Sequence, residues 1–305
     1  MNDEITKEMV DKLLTHTESL IRHIYWFKQD LNIQPSKEHI GAAINYTDIQ
    51  ERKDDFLKEL VHTVASWVYS KAMSKQIIDD RLAIVNSDYG NASSFLTTQA
   101  FSKFRPGQPQ GQFGELLLFN FIQHFFMAAP LLRKQRITTS VGHERYGADA
   151  IHFKKDGDKN IIILGESKCY KSKYKFSAAF KTSLESIINS FDTFSEELQL
   201  YTYDDFIETE LENIAKKYKA NTLPDVHFEL VCLIAYNETK VLTGNNEKDI
   251  KQSISSIIEE RCSSLGDSCF NTIDDKVIDR INYVIFPIWD LDKLLAEFQT
   301  LVGSE

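Results

Sequence analysis

The sequence predicts a mixed α/β fold in which a sheet is flanked by helices. One observation behind this prediction is a long apolar segment with helical periodicity at about residues 112–129. A second is an alternating block at residues 137–168, which contains a hairpin signal. The third is a pair of apolar runs at residues 226–236 and 281–288, each of a length typical of a buried strand.

The composition is that of a globular protein. The 305 residues suffice for one large domain or two ordinary ones. A content of 42% hydrophobic and 26% charged residues excludes the disordered, collagenous and low-complexity classes. No apolar run reaches membrane-spanning length, and the segment MNDEITKE lacks the apolar region of a signal peptide. The four cysteines show no metal-binding spacing, so we expect a soluble, cytoplasmic protein with reduced thiols.

Residues 1–103 are predicted to form a helical amino-terminal region. Apolar residues recur near helical spacing between Met9 and Trp26, and a second long helix is expected at about residues 54–82. No residue pattern in this region suggests chemistry. We therefore interpret it as a scaffold or a partner-binding surface.

The remaining elements follow in a definite order. A turn-rich loop at residues 105–111 precedes the apolar helix, and the alternating block then supplies the hairpin. A helix is predicted at about residues 177–200, followed by the two strand candidates. Residues 291–301 are predicted to close the chain as a helix.

The hairpin places two acidic residues opposite each other. The turn Asp156-Gly157-Asp158-Lys159 sets a register in which paired positions sum to 315, so Asp149 opposes Glu166. Like charges across a strand pair are destabilising, and a divalent cation such as Mg²⁺ or Mn²⁺ would relieve the repulsion. Strand alternation puts Lys168 on the same face as Glu166. The hairpin thus predicts a metal site beside an ammonium group.

A third acid is a candidate on the preceding helix. Glu115 lies in line with Phe119 and Ile122 at helical spacing, on the apolar side. A carboxylate there is costly unless it is paired or binds metal. A first-turn glutamate that complements the helix dipole explains the position equally well.

The E-x-K pattern occurs three times, so it is weak evidence alone. The first copy is interpreted as a surface pair. The third competes with the middle copy because it also ends an apolar strand, but it has no opposing acid on a hairpin. We therefore favour the middle copy. The copies are Glu51/Lys53, Glu166/Lys168 and Glu238/Lys240.

A local basic stretch interrupts an acidic chain. Residues 131–181 hold twelve basic and five acidic residues, a net charge of +7, which leaves −17 for the remainder of a chain at −10. Four lysines after Glu166 could contact the phosphates of DNA, although a solubilising loop is an equal alternative for each of them. These candidate DNA-binding residues are Lys171, Lys173, Lys175 and Lys181.

The order Glu115, Asp149, Glu166-Ser167-Lys168 resembles that of the PD-(D/E)XK phosphodiesterase family. The resemblance implies a restriction-endonuclease-like core with a mixed sheet flanked by helices. It implies that Asp149, Glu166 and the backbone carbonyl of Ser167 bind Mg²⁺ (or Mn²⁺), and that Lys168 orients or deprotonates the attacking water. Glu115 would support a second metal or a water.

Most of the chain also resembles the HamA family, the nuclease component of the Hachiman antiphage defence system. The PD-(D/E)XK pattern has a proline before the Asp, and this chain departs from it with Ala148. The helical front and the motifs GQFGE, RYGAD and GESK carry the HamA resemblance. It implies a nuclease domain at residues 104–305 and a partner helicase, HamB, that restrains a DNA nuclease until aberrant or phage DNA is sensed. The alternatives are a catalytically inactive DNA-binding or regulatory subunit of a helicase complex, and an enzyme that cleaves RNA or a specific DNA sequence.

Overall fold

A seven-stranded mixed sheet forms the centre of the computed structural model, with helices packed on both of its faces. The structure describes residues 5–105, 107, 109–133, 147–171, 176–200, 208–266, 269–271 and 273–303. The predicted mixed α/β class is confirmed. The strands are β1 (Ile24–Asp30), β2 (Glu38–Ile44), β3 (Tyr46–Thr47), β4 (Gln50–Glu51), β5 (Ala129–Leu132), β6 (Ala150–Asp156), β7 (Lys159–Tyr170), β8 (Val226–Glu238) and β9 (Ile281–Trp289).

The strand order in the large sheet is β1-β2-β9-β8-β7-β6-β5, and β3 and β4 form a separate small ladder. Strands β2, β9, β8 and β7 are parallel to their neighbours in that series. Antiparallel pairing adds β1 at one side, and β6 and β5 at the other. The carboxyl ends of the four parallel strands therefore lie along one edge of the sheet, where α/β proteins commonly bind ligands.

Two apolar cores cover the sheet, one on each face. The first packs α8 and α10 against the sheet, and the second packs α3, α7 and α12 against the opposite face. The helices are α1 (Lys7–Asp11), α2 (Glu18–Ile21), α3 (Lys53–His62), α4 (Val64–Val68), α5 (Lys71–Ile84), α6 (Tyr89–Phe101), α7 (Pro109–Phe126), α8 (Phe176–Leu200), α9 (Glu212–Lys219), α10 (Glu247–Ser263), α11 (Asp275–Ile278) and α12 (Leu291–Leu301). None of the described helices is long and apolar enough to cross a membrane.

The predicted helical character of residues 1–103 is wrong at β1 and β2. Strand β2 contains Gly41, Ala42 and Ala43, which have little strand propensity, but it lies buried between β1 and β9. The Phe27 ring of β1 packs over Gly41, where an added Cβ would lie only 2.3 Å from that ring. Packing therefore decides the strand where local propensity does not. The division of the chain at residue 103 stays a prediction.

The second long helix predicted at residues 54–82 is three helices. Helix α4 ends at Val68, and Tyr69 adopts an extended backbone (φ −117°, ψ 144°). Ser70 then caps α5, because its side chain accepts a hydrogen bond from the Met73 amide at 3.2 Å. Ser70, between Tyr69 and Lys71, is thus a helix start that periodicity overlooks.

The later elements lie close to their predicted positions. The helices expected at about residues 112–129 and 177–200 are α7 and α8, and the two apolar runs are β8 and β9. Within the alternating block, residues 150–170 form the hairpin, and residues 137–146 lie outside the described residues. Helix α10, between the two runs, was not predicted.

The hairpin has the predicted register. Ile151 pairs with Leu164, and Phe153 with Ile162, through a turn at Gly157 with φ +56°. This left-handed backbone favours glycine. The ladder ends at Ala150 and Gly165. Asp149 and Glu166 are therefore the next positions beyond the last pair.

Candidate functional site

Asp149 is bound to the strand that carries the other predicted site residues. Its Oδ2 accepts a hydrogen bond from the backbone amide of Ser167 at 2.9 Å and a second from the Ser167 hydroxyl at 3.1 Å. Asp149 precedes β6, and Ser167 belongs to β7. The antiparallel pairing of these strands brings together residues that are eighteen positions apart. The predicted Asp149 thus lies beside the E-x-K segment.

Glu166 and Lys168 form a direct ion pair. Lys168 Nζ lies 2.6 Å from Glu166 Oε1, and the glutamate is only 5% exposed. Burial lowers the pKa of Lys168, but the carboxylates of Glu166 and Asp149 outweigh that effect, so its pKa lies above the usual value. The site therefore joins two carboxylates and one ammonium group beside the start of β6.

Helix α7 approaches this strand closely. A Cβ added at Gly165 would lie 2.7 Å from Ile122 and 3.0 Å from Leu118, so glycine lets the helix pack directly on β7. One turn nearer the start of α7, a Cβ added at Gly114 would lie 3.1 Å from the Ser167 hydroxyl. The helix is thus in contact with the site at Gly114.

Glu115 follows Gly114 in the same helical turn and is partly buried. It is the neighbour of the glycine at which α7 contacts Ser167. Among the described residues, no three His, Cys, Asp or Glu side chains cluster closely enough to hold a metal. Glu115 therefore does not complete a three-acid group in this arrangement. Its role at a second metal or a water stays a prediction.

The donors present suit a hard cation. The carboxylates of Asp149 and Glu166 offer oxygen ligands, the type that Mg²⁺ and Mn²⁺ prefer. Mg²⁺ commonly keeps several waters and binds proteins through one or two carboxylates plus a substrate phosphate. Two acids beside each other therefore fit Mg²⁺ better than a cation that needs a full cage of protein ligands.

The competing E-x-K copies have other structural partners. Glu238 is buried, and its carboxylate accepts bonds from the amides of Thr239 and Lys240 and from the Arg261 guanidinium, at 2.5–3.0 Å. Burial raises the pKa of Glu238, but the bonds from Arg261 and the two amides outweigh it and hold the pKa low. This glutamate is a structural ion-pair partner.

The first copy is also an ion pair. Glu51 Oε2 lies 3.2 Å from Lys53 Nζ, and that ammonium also donates to the Trp289 carbonyl. Burial raises the pKa of Glu51 above its usual value. The predicted surface pair is thus more buried than expected, and it joins the β4 segment to the end of β9.

The predicted DNA-binding lysines are only partly described. Lys171 lies 3.3 Å from Asp292 at the start of α12, and Lys181 lies 3.9 Å from Glu185 one turn along α8. Both lysines are exposed. Lys173 and Lys175 lie outside the described residues. DNA contact by all four stays a prediction.

Part of the basic stretch is not a surface feature. Arg133 and Glu208 form a buried ion pair at 2.5 Å, and Arg133 Nε also donates to the Ser66 carbonyl. Lys154 pairs with Glu229 at 2.8 Å. These acids come from distant parts of the chain, so the local charge of +7 overstates the basic surface available to a nucleic acid.

The sequence reasoning missed one residue of the site. Ser167 was named only for its backbone carbonyl, but its hydroxyl and amide hold Asp149. The only signal in the sequence is a polar residue in a strand row that also contains Ile161, Ile163 and Gly165. That signal does not identify the hydrogen-bond partner.

Comparison with known proteins identifies the family. No curated protein matches this chain. The family model described as HamA matches residues 18–302, which is nearly the whole chain and includes β1, the hairpin and α12. The chain therefore belongs to the HamA family.

Proposed function

We propose that this chain is a metal-dependent DNA nuclease of the PD-(D/E)XK type. Membership of the HamA family is consistent with Hachiman antiphage defence, and the proposal adds the chemistry. The observation that carries it is that Asp149, just before β6, lies beside the β7 segment that carries Glu166 and Lys168. This is an acid on one strand beside an acid-x-lysine on the next.

The order of elements supports this assignment. Helix α7 precedes the β5-β6-β7 strands, α8 follows them, and β8 then pairs in parallel with β7. The PD-(D/E)XK core has the same order of helix, three-stranded sheet, helix and strand. The helical Glu115, next to Gly114 on α7, would be the third acid of that pattern.

Each side chain has a role in the proposed reaction. Asp149 and Glu166, with the Ser167 carbonyl, would hold Mg²⁺ or Mn²⁺. When bound, such an ion polarises the scissile phosphate and lowers the pKa of a bound water. Lys168 would position the attacking water and offset negative charge that develops on the phosphate oxygens. Glu115 would hold a second metal or a water.

The charge distribution supports dependence on a partner. The chain carries a net charge of −10, so free DNA meets overall repulsion. Three basic residues of the 131–181 segment, Arg133, Lys154 and Lys171, are engaged in ion pairs. We propose that a HamB-like helicase delivers DNA in the cytoplasm and restrains cleavage until aberrant or phage DNA is sensed. Lys171, Lys173, Lys175 and Lys181 would contact the phosphates.

Plasmid cleavage tests the nuclease. Wild type with Mg²⁺ should degrade circular DNA, whereas Asp149→Ala, Glu166→Ala and Lys168→Ala should not, and EDTA should stop the reaction. Two matched controls are Asp158→Ala, an exposed acid in the same hairpin, and Lys240→Ala, the lysine of the third E-x-K copy. Both controls should cleave like wild type. Cleavage retained by both acid variants would contradict the active-site assignment.

Two further experiments test the choice of substrate and the restraint by the helicase. Labelled RNA of the same sequence should be cut far more slowly than DNA, and efficient RNA cleavage would replace the substrate assignment. Addition of the helicase should suppress cleavage of intact plasmid. Equal cleavage with and without the helicase would contradict the proposed restraint.

The second candidate is a catalytically inactive DNA-binding or regulatory subunit of a helicase complex. The direct Lys168–Glu166 ion pair favours it, because a lysine can neutralise a buried glutamate without any metal. This candidate requires no cleavage under any condition and no binding of Mg²⁺. The same plasmid assay, with a metal titration, separates the two.

A further inference from the structure

The Ser167 hydroxyl lies in an otherwise apolar row of side chains on β7. Its row on β7 faces α7 and contains the buried residues Ile161 and Ile163 and the glycine Gly165. A buried hydroxyl in such a row is costly unless it is hydrogen-bonded. Ser167 is 9% exposed, and its hydroxyl donates to Oδ2 of Asp149 at 3.1 Å.

The same carboxylate oxygen receives two donors from one residue. The Ser167 amide lies 2.9 Å from Asp149 Oδ2, so amide and hydroxyl hold a single oxygen from two directions. Two bonds to one atom restrict both the position and the rotation of the carboxylate. The substitution Ser167→Ala would remove one of these bonds and leave the backbone bond in place.

Gly114 encloses the hydroxyl from the side of the helix. A Cβ added at this glycine would lie 3.1 Å from Ser167 Oγ and 3.4 Å from Ser167 Cβ. The first distance is tighter than most real contacts, so an alanine would press on the serine or move α7 away. Gly114 thus gives the hydroxyl the space in which it reaches Asp149.

We propose that Ser167 is a positioning residue that orients Asp149 for metal binding. Gly114 is required to keep the Ser167 hydroxyl in place. This inference rests on the proposed metal-dependent function. Partners that hydrogen-bond to metal ligands orient them, and loss of such a partner typically lowers metal affinity or activity by about 10–100-fold. Since the amide bond remains in Ser167→Ala, we expect the lower end of that range.

Mn²⁺ binding provides the test, measured by calorimetry and by electron paramagnetic resonance on the full chain without DNA. Ser167→Ala should weaken Mn²⁺ binding by about 10-fold, and Asp149→Ala should abolish it. Ser167→Cys keeps the volume but has a weak donor, so it should also bind Mn²⁺ more weakly than wild type. Gly114→Ala should lower the affinity in the same direction as Ser167→Ala.

Three controls separate positioning from folding. Ser190→Ala removes another buried serine hydroxyl, on α8, and should leave Mn²⁺ affinity unchanged. The Tm of metal-free Ser167→Ala should lie within about 4 °C of wild type, as expected for one lost hydrogen bond. Excess Mg²⁺ should restore DNA cleavage by Ser167→Ala but not by Asp149→Ala.

The outcomes are distinguishable. Wild-type affinity in both Ser167→Ala and Ser167→Cys would overturn this inference while leaving the metal site intact. A wild-type chain that binds no Mn²⁺ would overturn the proposed function together with this inference. Weak binding by Ser167→Ala alone, with normal binding by Ser167→Cys, would indicate packing and would also overturn the positioning role.

Discussion

Lys168 Nζ lies 2.6 Å from Glu166 Oε1, and the two side chains leave β7 on the same face with Ser167 between them on the other. The amide of that serine donates to Asp149. The E-x-K segment therefore contacts Asp149 through Ser167. Its outer residues, Glu166 and Lys168, neutralise each other's charge.

Two glutamates that share the E-x-K pattern should respond differently to substitution. Glu238→Ala removes the partner of Arg261 and four hydrogen bonds to a buried carboxylate, so it should lower the free energy of unfolding by about 2–4 kcal/mol. Glu166→Ala should change stability much less, because it also removes a buried charge beside Asp149. Urea unfolding of both variants measures this difference. A larger loss in Glu166→Ala would contradict it.

Close packing of α7 on β7 predicts a steric effect at Gly165. The Cβ of Gly165→Ala would lie within 2.7–3.2 Å of Ile122, Leu118 and Ala150, so overpacking should cost about 1–3 kcal/mol. Gly111→Ala is the matched control, because nothing lies within 4 Å of its added Cβ. It should be neutral or stabilise α7 by about 0.5 kcal/mol. Thermal unfolding of both variants checks the prediction.

The buried Arg133–Glu208 ion pair predicts strong coupling. Arg133→Met leaves a buried, unpaired carboxylate and should destabilise the fold by about 3–5 kcal/mol. The double variant Arg133→Met/Glu208→Met should recover most of that loss, since both buried charges are then absent. A double-mutant cycle from urea unfolding measures the coupling. Additive losses in the double variant would contradict this account.

Two buried histidines should make the protein less stable as the pH decreases. Burial lowers the pKa of His39 and of His152 from 6.5 to about 4. The unfolded chain therefore binds protons first, so their stabilisation is complete above pH 6.5 and is lost as pH falls towards 4. Between pH 7 and pH 5, the contribution of each histidine to the free energy of unfolding should decrease by about 2 kcal/mol.

The variant His39→Gln/His152→Gln isolates this contribution. Its free energy of unfolding should depend less on pH between 7 and 5 than that of wild type, because neither glutamine titrates. Urea unfolding at several pH values measures both slopes. An unchanged slope would show that other groups control the acid sensitivity.

Local sequence determined the part of the site that lies in the hairpin. The turn around Gly157 fixes the register, so the arrangement of β6 against β7 could be derived by counting. The same counting placed Asp149 beside Glu166, one position beyond the last paired residues. A short connection with a glycine in the left-handed region leaves few alternatives.

Contacts between distant segments could not be derived in this way. The Ser167–Asp149 hydroxyl bond and the Gly114 contact depend on how α7 lies on the sheet. The charge of Arg133 is neutralised by Glu208, which is remote in sequence. Strand β2 is rich in alanine and glycine, and only its position between β1 and β9 makes it a strand.

Anomalous scattering of Mn²⁺ in crystals of the full chain would locate the proposed metal ion. We predict a peak between the carboxylates of Asp149 and Glu166, beside Ser167, in wild type. The same peak should be absent from crystals of Glu166→Gln grown at the same Mn²⁺ concentration. Wild-type crystals at saturating Mn²⁺ with no peak between these two acids would contradict the account.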